Sequence, residues 1–142
     1  QGVELLHKRQ GKAGLWMEMR TGKSRTALKY LDDVNAHRIL IVAPLSAADG
    51  WRSEIRDTPI GRKLPLLLLD DGMSIARRAA LVRQATAGNQ GAIVIVNYEA
   101  PWREPLKDAI LKWRPDAVIA DEAQKCKHRT AKQTRFIHLL VE

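Results

Sequence analysis

Short apolar runs alternate with amphipathic stretches along this chain of 142 residues. The apolar runs, such as "ILIVA" and "AIVIV", are strand-sized and rich in β-branched residues. Strands that are apolar on both faces and are separated by helices predict a parallel sheet that helices cover on both sides. We therefore expect an α/β fold with three layers, formed by residues 1–142 as a single domain.

The pattern predicts five strands and about five or six helices. The predicted strands cover residues 14–19, 38–43, 64–69, 92–97 and 117–120, and the predicted helices cover residues 22–33, 47–57, 73–87, 102–113 and 132–141. Leu31 and Val34 fall at core spacing in the first helix. Trp51 and Ile55 lie four residues apart on one face of the second helix, and Trp51 is expected in the core. The arginines of the third helix are expected on a solvated face (Arg77, Arg78, Arg83), and Pro105 is expected in the first turn of the fourth.

Ligands of such folds bind beyond the carboxyl ends of the strands. The residues that follow the predicted strands are therefore the first candidates for a site: 20–24, 44–47, 97–99 and 121–125. Charge points to the class of ligand, because 24 Lys and Arg residues against 16 Asp and Glu residues give a net charge of +8. That excess favours a polyanion such as nucleic acid or a nucleotide.

The apolar runs are too short to span a membrane, so no membrane partner is expected. The single cysteine cannot form an intramolecular disulfide and is typical of a reducing compartment. A cytoplasmic protein is the expectation.

The segment "MEMRTGKS" follows the first predicted strand and opens a helix. Gly22, Lys23 and Ser24 are typical of the second half of a phosphate-binding loop. Gly22 lets the backbone approach a phosphate closely, and the amides that follow point at its oxygens from a helix N-terminus. In that chemistry Lys23 reaches the β- and γ-phosphates of ATP, and the Ser24 hydroxyl binds Mg²⁺.

The neighbouring residues Arg20, Thr21 and Arg25 complete the predicted nucleotide contact. Met17 and Arg20 stand where a phosphate loop commonly has smaller residues. The alternative interpretation is an ordinary helix start that Thr21 or Ser24 caps.

Two acids, Asp121 and Glu122, follow the last predicted strand in "AVIADEAQ". In phosphate-loop enzymes the first holds Mg²⁺ and the second polarises the attacking water. The alternative is a pair of acids at a helix N-terminus. The order of the two half-motifs favours the catalytic interpretation, provided that the first and last strands lie side by side.

Four segments, "MEMRTGKS", "ILIVAPLSAADGWRSEI", "VIVNYEAPW" and "WRPDAVIADEAQKCKHRTAKQTR", resemble successive motifs of superfamily-two helicases. They are most similar to the Swi/Snf-like branch of DNA-dependent ATPases, over residues 2–140. The matching residues after the phosphate loop are Pro44, Leu45, Ser46 and Trp51, then Asn97, Tyr98 and Glu99, then Asp121, Glu122, Ala123 and Gln124.

This resemblance implies the N-terminal RecA-like lobe of a two-lobe, ATP-dependent translocase or helicase-like motor. It implies Mg²⁺ and ATP as cofactors, duplex DNA as the partner, and a monomer that works with a second RecA-like lobe. Lys23, Asp121, Glu122 and Gln124 become the catalytic set, with Gln124 where the family usually has histidine. The implied nucleic-acid contacts are Pro44, Leu45, Ser46, Asn97 and Tyr98.

The chain also resembles short, basic phage or prophage members, which implies the cytoplasm of a bacterial cell or of a phage-infected host. We expect it to be a piece of a longer protein that binds nucleotide but turns it over poorly alone. Two other functions stay open: another phosphate-loop NTPase or kinase, and a non-catalytic nucleic-acid-binding module with a degenerate phosphate loop. A dense basic loop after the acidic pair is equally compatible with nucleic-acid contact and with solvation (Lys125, Lys127, Arg129, Lys132).

Overall fold

The strands of this chain form one parallel sheet. The computed structural model describes residues 15–17, 23–69, 72–87, 91–121 and 132–141. Within them the strands are β1 (Leu15–Met17), β2 (Arg38–Val42), β3 (Leu66–Leu68), β4 (Ala92–Val96) and β5 (Ala117–Asp121). The helices are α1 (Lys23–Asp33), α2 (Ala48–Arg56), α3 (Pro59–Lys63), α4 (Ile75–Thr86), α5 (Leu106–Trp113) and α6 (Lys132–Val141), and a 3₁₀ turn covers Leu45–Ala47.

The order of the five described strands is β1-β5-β2-β4-β3, and all neighbours are parallel. Met17 lies opposite Asp121, and Val42 lies opposite both Ala120 and Val96. The carboxyl ends of these strands therefore meet at one edge of the sheet, which we call the carboxyl edge. It is formed by Met17, Val42, Leu68, Val96 and Asp121.

Each face of the sheet packs against its own set of helices. Ile39 and Ile41 of β2 join a core with α1, α2 and α3, whereas Leu40 and Val42 join a core with α4, α5 and α6. Successive side chains of a strand point to opposite faces, so both faces must be apolar where both are covered. This explains why the strands are continuous apolar runs and confirms the predicted α/β class with helices on both sides of a parallel sheet.

Each predicted strand and helix has a counterpart, but some boundaries differ. The helix predicted from residue 102 begins at Leu106, because Pro105 is its N-cap and accepts the hydrogen bond from the Ala109 N–H. Asp121 is the last residue of β5 rather than the residue after it. The short helix α3 was not predicted, although Thr58 followed by Pro59 is a common helix start.

Two predicted side-chain environments were wrong. Val34 is 43% exposed because α1 ends at Asp33, which takes Val34 off the helical core stripe. Arg78 is only 4% exposed, although we expected it on a solvated face with Arg77 and Arg83. It precedes the core residue Ala79 at the start of α4, where the helix packs against α5.

No helix in the described part of the chain has both the length and the apolar character needed to cross a membrane.

Candidate functional site

The strands that lead into the two predicted half-motifs lie side by side, and their carboxyl ends are at the same edge of the sheet. β1 pairs directly with β5, and Met17, the last described residue before the phosphate loop, lies opposite Asp121. This side-by-side placement was the condition on which the joint interpretation of the motifs depended. Glu122 and Gln124 follow Asp121 in the sequence but lie outside the described residues, as do Arg20, Thr21 and Gly22.

Helix α1 begins at Lys23, so Lys23 and Ser24 occupy its first turn. The first N–H groups of a helix have no partner within the helix, and they lie at the positive end of the helix dipole. The first turn of α1 contains no acidic residue that would repel an anion. A helix that begins at Lys23 is compatible with phosphate binding at its N-terminus.

Arg25 also lies in this first turn, but its side chain contacts another helix. Its Nε donates to Oε2 of Glu54 on α2 at 3.0 Å, and the side chain is exposed. An exposed ion pair of this kind stabilises a protein by about 0–1 kcal/mol. The predicted nucleotide contact of Arg25 stays a prediction.

Asp121 is the most enclosed charged residue described, with an exposed fraction of 0%. Its Oδ2 accepts a hydrogen bond from Nε1 of Trp51 at 2.8 Å, and its backbone carbonyl accepts one from the hydroxyl of Tyr98. Burial of a carboxylate is costly unless donors compensate for the lost water. These donors come from α2 and from the segment after β4, so two other parts of the fold fix Asp121 in place.

Trp51 reaches Asp121 from a helix that starts with an exposed turn. Pro44 and Ala47 are buried, whereas Leu45 (48% exposed) and Ser46 face solvent between them. The turn is closed by a hydrogen bond from the Ala47 N–H to the Pro44 carbonyl at 2.9 Å, and α2 follows at once. Of the predicted nucleic-acid contacts at this turn, Leu45 and Ser46 are accessible.

The other two predicted nucleic-acid contacts, Asn97 and Tyr98, are buried directly after β4. The Tyr98 hydroxyl is bonded to Asp121, and Oδ1 of Asn97 has no hydrogen-bond partner among the described residues. Both side chains are therefore enclosed by the fold, and Glu99 is the exposed residue of this strand end. Any nucleic-acid contact here would involve the backbone rather than the buried Asn97 and Tyr98 side chains.

Of the basic loop, only Lys132 lies within the described residues, at the start of α6. Its Nζ lies 5.1 Å from the ring centroid of Trp102, and Cζ of Arg103 lies 5.0 Å from the same centroid. These are cation–π distances. The structure thus gives Lys132 an aromatic partner within the chain.

A carboxylate at the end of β5 is the kind of ligand that Mg²⁺ uses when phosphates help to hold it. The described part of the chain contains no cluster of three or more His, Cys, Asp or Glu side chains that could enclose a metal. Mg²⁺ is usually bound by one or two carboxylates together with water and substrate phosphates. The Asp121 carboxylate and the Ser24 hydroxyl are oxygen donors of that kind.

The sequence analysis missed the contacts that Trp51 and Tyr98 make with Asp121. Trp51 was interpreted as a core residue, which is confirmed by its burial, and Tyr98 as a nucleic-acid contact. A buried indole or phenol usually finds a hydrogen-bond partner, which was the available signal. Spacing along the chain does not identify a partner 70 residues away.

Comparison of the chain with protein-family models and with curated proteins found no match. Its function is therefore proposed from the residues of the site.

Proposed function

We propose that this chain is a RecA-like ATP-binding lobe of a DNA-dependent ATPase of the helicase-like translocase type. The observation that carries the proposal is the parallel pairing of β1 with β5, in which Met17 lies opposite Asp121. This pairing puts the strand that leads into the phosphate loop beside the strand that ends in the acidic pair. The all-parallel sheet with helices on both faces is compatible with such a lobe.

Each residue of the site has a role that its chemistry suits. The backbone N–H groups at residues 22–25 and the Lys23 ammonium bind the phosphates of ATP. Ser24 and Asp121 would hold Mg²⁺, which neutralises charge on the phosphates when it is bound. Glu122 orients the attacking water and accepts its proton. Gln124 connects the γ-phosphate to a second lobe.

We propose duplex DNA as the polyanion that this lobe binds. Leu45 and Ser46 are exposed at the carboxyl edge, and the chain carries a net charge of +8. Backbone amides and hydroxyls at such a turn contact phosphates without reading bases. Sequence-independent binding is what a translocase requires.

Nucleotide binding is the first test, because it needs the phosphate loop alone. Mg-ATP at about 100 times its Kd should stabilise the folded chain by about 2.7 kcal/mol, measured as a shift in thermal unfolding. Lys23→Ala should abolish the shift. Lys29→Ala is the matched control, because Lys29 is an exposed lysine of the same helix. Absence of any shift in the unaltered chain would remove the proposal and leave the non-catalytic module.

ATP turnover is the second test, measured on this chain alone and together with the second lobe that the proposal implies. Hydrolysis should be stimulated by duplex DNA and lost in Glu122→Gln. Stimulation by RNA or single-stranded DNA alone would move the chain to another helicase branch. Phosphoryl transfer to an acceptor other than water, without nucleic acid, would favour a kinase.

A further inference from the structure

We propose that Trp51 is a positioning residue that transmits DNA contact at the exposed turn Leu45–Ala47 to the carboxylate of Asp121. The inference deepens the proposed function and rests on it. Trp51 itself would contact neither DNA nor nucleotide, because its side chain is buried and contacts Asp121. The Trp51 side chain would connect the proposed DNA-binding turn to the carboxylate of the proposed nucleotide site.

A buried hydrogen bond joins Trp51 to Asp121. The distance from Nε1 to Oδ2 is 2.8 Å, and both residues are buried. A hydrogen bond to an ionised acceptor is stronger than a neutral one, and a low local dielectric strengthens it further. The indole has one donor and no acceptor, so it holds Oδ2 in one direction. Trp51 therefore contributes to the orientation of the carboxylate.

The backbone of Asp121 has a separate contact, with Tyr98. The Tyr98 hydroxyl donates to the Asp121 carbonyl at the end of β5. With the backbone held from one side, movement of Trp51 acts on the side chain of Asp121. The two contacts thus separate the position of the strand end from the direction of its carboxylate.

Trp51 is connected to the exposed turn through the backbone of α2. The Ala47 N–H bonds to the Pro44 carbonyl and the Ala48 N–H bonds to the Leu45 carbonyl, so the turn runs into α2 without a flexible joint. Trp51 lies in the first turn of that helix. Hydrogen bonds weaken steeply as distance and angle depart from the ideal. A small shift of the turn on binding a phosphate backbone would therefore change the bond to Asp121.

The contact itself can be tested without nucleotide, by the indole N–H resonances of the ¹⁵N-labelled chain. The chain has four tryptophans, and Trp51→Phe and Trp113→Phe assign two of these signals. The Trp51 proton should lie downfield of that of Trp113, whose Nε1 is buried without a hydrogen-bond partner in the described part of the chain. Asp121→Asn should shift the Trp51 signal and leave the Trp113 signal in place. A Trp51 signal at the Trp113 position, unmoved by Asp121→Asn, would overturn the proposal.

Transmission from the turn is tested by adding duplex DNA to the same labelled chain. The Trp51 signal should move as DNA binds, and Ser46→Asp, which places a negative charge at the phosphate contact, should suppress the change. DNA binding that leaves the Trp51 signal unmoved would overturn transmission through α2.

Positioning is tested by kinetics of this chain together with the second lobe that the proposed function implies. Trp51→Phe should raise the Mg²⁺ concentration needed for half-maximal turnover by about tenfold, as losses of a residue behind a metal ligand commonly do. It should also lower the stimulation by DNA, while ATP binding in the absence of Mg²⁺ is unchanged. Trp113→Phe, a buried tryptophan far from Asp121 in the fold, should change neither quantity.

The outcomes separate the two proposals. If Mg-ATP binds and Trp51→Phe has an unchanged Mg²⁺ requirement and unchanged DNA stimulation, the positioning role is wrong and the proposed function stands. If the unaltered chain binds no Mg-ATP, both proposals fail, and the indole resonances still decide whether the contact exists.

Discussion

At the scale of single residues, Asp121 is defined by what surrounds it. A carboxylate at the end of a central strand is expected from the sequence, but its direction is set by the Trp51 indole and its backbone by the Tyr98 hydroxyl. Small differences in such surroundings decide whether a buried polar group stabilises or destabilises a fold. Gly91 and Arg78 are two further positions at which the surroundings decide what a substitution does to stability.

Gly91→Ala should destabilise the fold. A Cβ at this position would overlap the carbonyl of His37, which accepts a hydrogen bond from the Ala92 N–H where β2 and β4 begin. Such overpacking costs about 1–3 kcal/mol, measured by urea unfolding. Gly50→Ala in the exposed first turn of α2 is the matched control and should not destabilise the chain. Equal stability of Gly91→Ala and the unaltered chain would contradict the packing of this strand edge.

Arg78→Met should leave stability unchanged or raise it. Arg78 is buried, and its Nε has no hydrogen-bond partner within the described residues. Replacing a buried charge by an apolar side chain of similar length is often neutral or stabilising, by up to a few kcal/mol. Arg77→Met on the exposed side of α4 should change the free energy of unfolding by less than about 0.5 kcal/mol. A large loss confined to Arg78→Met would show that the guanidinium supports the fold.

At the scale of elements, α2 has two functions that its sequence pattern does not separate. Its apolar face packs Trp51 and Ile55 into the core, and the same Trp51 bonds to Asp121. Helix α4 shows the opposite case, in which the helix start can be recognised from the sequence alone. Ser74 precedes the helix and its Oγ accepts the Arg77 N–H at 3.1 Å.

Ser74→Ala should destabilise the chain by about 1 kcal/mol, because the first turn of α4 loses its side-chain cap. Chemical denaturation measures the change. Ser53→Ala, an exposed serine within α2, removes the same hydroxyl without removing a cap and should cost nothing. A similar loss from both substitutions would mean that Ser74 is no cap in solution.

At the scale of the whole molecule, the sheet order decides what the motifs can do together. β1 and β2 are separated by β5, which places Asp121 between the strand before the phosphate loop and the strand before the exposed turn. The net charge of +8 adds a general attraction for polyanions. One carboxylate therefore lies between the candidate nucleotide and DNA surfaces.

Binding of duplex DNA should be strongly salt-dependent and nearly independent of base sequence. Each phosphate contact contributes about −0.9 to the slope of log affinity against log salt, so even two contacts predict a loss of roughly tenfold between about 50 and about 200 mM salt. Fluorescence anisotropy with two unrelated duplexes measures both properties. Lys23→Ala should retain this binding, since we propose that Lys23 binds nucleotide rather than DNA. An affinity that ignores salt would contradict a phosphate-backbone contact.

The sequence by itself determined the α/β class, nearly all the strands and helices, and the two half-motifs. These depend on periodicity and on residue types within a few positions of one another, which local chemistry controls. It could not determine that Arg78 is buried, that Arg25 pairs with Glu54, or that Trp51 and Tyr98 hold Asp121. Those facts depend on which strands pair and how the helices pack across the sheet. Contacts between residues far apart in the chain arise only when the whole fold brings them together.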